Sequence, residues 1–146
     1  MAKLTHRQSP ASGLLAGVTA LSLGCGVALA QEGGVTIELN KLESQGPGCR
    51  VYFVVANKAT GYKALKLDLV LFRPDGVIGR RFAVELGPLK SDKRSVKLFD
   101  IEDTSCDQIG SFLINDVMEC KLESGAVDDC LKDISVSTLT SVPLKK

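Results

Sequence analysis

Four leucines at strict two-residue spacing, Leu65, Leu67, Leu69 and Leu71, with Lys66 and Asp68 between them, predict a strand with one buried face. Val35, Ile37 and Leu39 repeat the pattern earlier in the chain. Between the two lies an unbroken apolar run, Val51 to Ala56, rich in β-branched and aromatic residues. Such a run predicts a central strand covered on both sides, with Tyr52 in the core.

Pro74, Asp75 and Gly76 form a turn by mechanism, since proline presets φ and glycine accepts a positive φ. The next strand runs from Val77 to Leu86, with Phe82, Val84 and Leu86 on one face. A turn at Gly87 and Pro88 leads to Val96, Leu98, Phe99 and Ile101, where the slip in parity between Leu98 and Phe99 predicts a bulge. Strands at about 109–118 and 134–139 complete a set of seven. No long segment has helical periodicity; 125–131 is the one place where a short helical turn is expected.

Seven short strands with regular turns predict an all-β fold, a seven-stranded antiparallel sandwich of immunoglobulin-like or fibronectin-like type, with a barrel as the alternative. The N-terminus carries a different signal. Lys3, His6 and Arg7 precede an apolar run from Leu14 that ends at Ala28, Leu29 and Ala30, the layout of a secretory signal peptide cleaved after Ala30. The domain would be residues 31–146, beginning at Gln31 and placed in the periplasm or outside the cell. A retained anchor and a lipidated Cys25 are the competing readings; the run touches the lower length limit of a spanning helix, and Gly17, Gly24 and Gly26 weaken it.

Of the 5 cysteines, Cys25 falls within the leader, which leaves Cys49, Cys106, Cys120 and Cys130. An even number in a short exported domain predicts two disulfides. If successive strands alternate up and down, Cys49 and Cys106 share one end, and Cys120 and Cys130 share the other. The expected bridges are therefore Cys49–Cys106 and Cys120–Cys130. A zinc site would have to be all-cysteine, without a C-x-x-C pair, so no metal or other cofactor is expected.

The single histidine, His6, is in the leader, and the domain therefore lacks the commonest general base and the usual metal ligand. No catalytic residue is assigned, and the chain is expected not to be an enzyme. Acids cluster at Asp100, Glu102, Asp103 and Asp107, and again at Asp128, Asp129 and Asp133. They keep a second reading open, a carboxylate-based or cation-dependent hydrolase, beside the plainer one of solvated turns. Arg80 and Arg81 lie mid-strand, where a surface ion pair is expected before an anion site. Residues 31–146 carry 16 basic and 17 acidic side chains and no tryptophan, which gives no footprint for nucleic acid and no drive toward membrane insertion.

The stretch LKLDLVLFRPDGVIGRRFAVELGPLKSDKRSVKLFDI, together with the four cysteines, resembles small exported proteins of alphaproteobacteria known mainly by their signal sequence. Some of these carry a twin-arginine signal, which this chain lacks. The stretch is also similar to short immunoglobulin-like modules of exported bacterial proteins, in which a D-G turn between strands precedes a G-P-L turn. The resemblance implies a periplasmic location and a binding or structural role with an unknown protein partner. Loops are the expected contact surface, above all Thr60, Gly61 and Tyr62 with Pro88 and Leu89, and an exposed strand edge is the other open mechanism.

Overall fold

A computed structural model describes residues 34–125 and 129–146. The expected leader, with Cys25, lies outside the described residues, as do Gln31 and, with Asp128, residues 126–128 of the helical turn expected at 125–131.

The strands are β1 (Val35–Gln45), β2 (Gly48–Asn57), β3 (Tyr62–Phe72), β4 (Ile78–Glu85), β5 (Lys93–Ile101), β6 (Ser111–Leu122), β7 (Ile134–Thr138) and β8 (Leu144–Lys145). They form two four-stranded sheets, ordered β5-β2-β1-β7 and β4-β3-β6-β8. The fold is an all-β sandwich rather than a barrel, because each sheet keeps two open edges.

The expected seven strands are eight, because a short β8 follows beyond the last expected one, which forms as β7. β7 pairs with β1, and the chain then crosses to the other sheet, where β8 pairs with β6. Val142 and Leu144 enter the core on the far side of that crossing. Both of these pairings are parallel, so the fully antiparallel arrangement expected does not hold. Neither partner is adjacent in sequence, and a direct hairpin is what forces antiparallel pairing.

The inward faces follow the two-residue period. Leu65, Leu67, Leu69 and Leu71 are all buried, opposite Val35, Ile37, Leu39, Val51, Phe53 and Val55 of the other sheet. Each such side chain contributes about 1.5–3 kcal/mol on leaving water. Phe53 ties the layers together, meeting Phe99 edge-on at 5.5 Å and Phe112 of the facing sheet at 6.4 Å.

The run on β2 is central in its sheet but is not covered on both sides. Val51, Phe53 and Val55 are buried, whereas Tyr52, Val54 and Ala56 face outward and are half-buried. Tyr52 is therefore not a core residue; its hydroxyl donates to Glu43 and Lys41 lies over its ring. The bulge expected at Leu98 and Phe99 is absent as well, because β5 keeps an unbroken register with β2 from Lys93 to Ile101. Val96 and Leu98 occupy the outer face, and Phe99 and Ile101 the inner one.

The Pro74–Gly76 turn forms with Gly76 at φ 82°, and the Val77 N–H donates to the Asp75 side chain. Disulfides join Cys49 to Cys106 at one end and Cys120 to Cys130 at the other, with Cα separations of 4.9 and 6.5 Å. This is the pairing that strand parity gives. Cys120 lies within β6 rather than in the connection that follows it, since that strand runs to Leu122.

Candidate functional site

The loop end with the candidate contact residues is a clamp. The Tyr62 N–H donates to the Leu89 carbonyl at 2.8 Å, and the Leu89 N–H returns a bond to the Tyr62 carbonyl at 2.9 Å. This bridge carries both side chains inward, leaving Tyr62 4% and Leu89 3% exposed. Gly61 is buried too, its carbonyl accepting from the Glu123 N–H, so only Thr60 and Pro88 of the five candidates are exposed. Tyr62 is a core residue at the start of β3 rather than a loop residue, and the expected loop surface is largely an internal joint.

Asn57, which sequence reasoning passed over, organises that joint. It is 1% exposed, and its amide donates to the carbonyls of Thr60 at 3.1 Å and Lys90 at 3.2 Å, while its own carbonyl accepts from the Ala59 N–H at 3.0 Å. All its polar atoms are thereby paired, as burial demands. An asparagine just after an apolar run was the available signal.

Asp100, Glu102 and Asp103 of the first acidic cluster line one open pocket beside Gln45 and Gly48. Asp100 is held in a two-bond fork by Arg50 at 2.7 and 2.9 Å, which keeps its carboxyl below the ordinary value. The hydrogen bond from Tyr52, and then that from Lys41, hold the Glu43 carboxyl low as well. Asp68 is the buried carboxylate among the described residues. Its hydrogen-bond partners are Arg81 and Asn115, while Asp116, opposite it in the β6 register, accepts the Val117 N–H. Arg81 thus makes the ion pair expected of it, and Arg80 donates to the Glu102 carbonyl. Among the described residues no three acids, cysteines or histidines gather in a way that could hold a metal ion.

The side of the molecule with β5 has a different character. β5 pairs with β2 alone and forms an edge. Val96 is 60% and Leu98 52% exposed, and the register sets them beside Val54 and Tyr52. The result is a small apolar strip along an open edge, bordered by Arg94 at one end and by the Arg50–Asp100 pair at the other. On the inner side a cleft of about 190 Å³ opens between β4 and β5, lined by Arg80, Phe82, Val84, Phe99, Asp100 and Ile101. Backbone groups along the free edge, apolar contacts above and a partly aromatic cleft below are what strand addition uses.

These features define a small two-sheet β-sandwich with a disulfide at each end. Among solved structures it is similar to IrmA from Escherichia coli, with 15% identity and a TM-score of 0.53, over 70% of this chain and 90% of that one. At that identity the likeness shows the fold alone. No protein-family model matches the chain, and no curated protein matches it.

Proposed function

We propose that this chain is an exported, non-enzymatic binding or assembly module of the periplasm, and that it captures a protein partner along β5. The leader-like N-terminus and the two disulfides support export, since such bridges persist in oxidising compartments. Among the described residues no helix is long and apolar enough to cross a membrane. The resemblance to small exported proteins points to the same compartment.

The observation that carries the contact surface is the pair Val96 and Leu98, both more than half exposed on an open edge strand. Exposed apolar groups that adjoin one another mark contact sites more often than scattered ones do. The loop end loses its claim because Tyr62, Leu89 and Gly61 are consumed in its own bonding.

The test is photo-crosslinking in the native host, with benzoyl-phenylalanine placed at Leu98, Thr60 or Pro88, followed by fractionation. A discrete periplasmic adduct from position 98, absent from positions 60 and 88, is expected. Adducts from 60 or 88 alone would return the contact to the loop end, and a chain found wholly in the cytosol would end the reading.

A further inference from the structure

We propose that β5 docks an extended acidic segment of a partner protein, which adds as an antiparallel strand and is selected by Lys97. This rests on the β5 capture reading above and names the chemistry of the partner.

Lys97 is the unusual residue of the edge. Strand alternation puts it on the inner face with Ser95 and Phe99, opposite Phe53 of β2, and it is half-buried there. It has no carboxylate partner among the described residues. Withdrawing a charge from water without a counter-charge is unfavourable, so the position is completed by an acid brought from outside. Lys93 and Arg94 extend the positive charge along the strand. Asp100, the acid of β5, is already neutralised by Arg50.

A second copy of this chain is the poorer occupant. The antiparallel self-pairing that matches Arg94 with Asp100 and Val96 with Leu98 also sets Lys97 against Lys97 of the second copy, on the half-buried side. Like charges directly opposite one another destabilise a ladder, and an inward-pointing charge is a known guard on edge strands. A foreign strand with an acid at that place turns the same lysine from a guard into a selector. Its neighbouring inward side chain would descend into the cleft beside Phe82 and Phe99, where an aromatic or branched group fits the walls.

The probe is the fluorescein-labelled peptide TTFVEITEE, which in antiparallel register sets phenylalanine opposite Phe99 and glutamates opposite Lys97, Arg94 and Lys93. Its counterpart TTFVKITKK reverses the charge. Fluorescence anisotropy with protein purified from the native host should show binding of the acidic peptide, at least about tenfold tighter than the basic one. Lys97→Glu should reverse that order, and Lys97→Ser should weaken discrimination without abolishing binding. Equal binding of both peptides, or acidic binding untouched by Lys97→Glu, overturns the selection while leaving capture along β5 standing. No binding of either peptide leaves Lys97 a guard and overturns strand docking, and the crosslink at Leu98 then decides separately whether β5 contacts a partner.

Discussion

Arg81 grips Asp68 with two parallel bonds, Nε to Oδ1 at 2.8 Å and Nη2 to Oδ2 at 2.7 Å, across the outer face of the β4-β3-β6-β8 sheet. Asn115 adds a third bond to Oδ2 at 2.7 Å, so β3, β4 and β6 are tied at one carboxylate. The arginine bonds, and then that of Asn115, hold the Asp68 carboxyl below its usual value. A carboxyl that titrates lower in the folded state stabilises it fully above the unfolded value, about 3.9. That contribution is lost as pH falls through the folded value. Acid titration of stability should therefore fall more shallowly below about pH 4 in Asp68→Asn than in the wild type. At neutral pH the variant should be the less stable of the two. Urea midpoints across the pH range check both, and parallel acid limbs would refute the assignment.

Asn57→Leu removes two donors and one acceptor from the joint that binds 58–61 to Lys90. The carbonyls of Thr60 and Lys90 lose a partner inside the fold, a cost of about 2 kcal/mol. Urea unfolding should show that loss with an unchanged slope. Hydrogen exchange should quicken at Tyr62 and Leu89, whose bridge depends on the same joint. Thr60→Ala, on the exposed side of the loop, should stay within about 0.5 kcal/mol of wild type.

The two disulfides should differ in weight. Cys49–Cys106 closes a separation of 57 positions and Cys120–Cys130 one of 10. Chain entropy then assigns about 4 and about 3 kcal/mol respectively. Paired Cys→Ala variants, compared by chemical denaturation, should lose stability in that order. The reverse order would mean that packing around the bridges outweighs chain entropy.

What could be read beforehand followed the reach of each interaction. The Leu65–Leu71 face, the Pro74–Gly76 turn and the disulfide ends depend on local period and strand parity, which a linear chain displays. Asp68 appeared as an ordinary outward polar residue because Arg81 and Asn115, which cover it, come from two other strands. Tyr62 and Leu89 gave a loop signal because their mutual bridge is non-local. The slip in parity between Leu98 and Phe99 reads as a bulge because an apolar outer face, here Val96 and Leu98, is not the default for an edge strand. Lys97 had no reading until the ladder fixed which way it pointed.

If Lys97 guards the free edge, removing its charge should open β5 to a second copy. In Lys97→Thr the antiparallel register that sets Val96 opposite Leu98 and Arg94 opposite Asp100 loses its central repulsion, and threonine favours a strand. Sedimentation velocity should then show a concentration-dependent dimer at loadings where the wild type is a monomer. Adding Leu98→Lys to that variant should reverse the association, because it places a new cation in the outer-face match with little effect on the fold at a half-exposed site. A Lys97→Thr protein that stays monomeric over the same range would mean that something other than this charge keeps the edge unpaired.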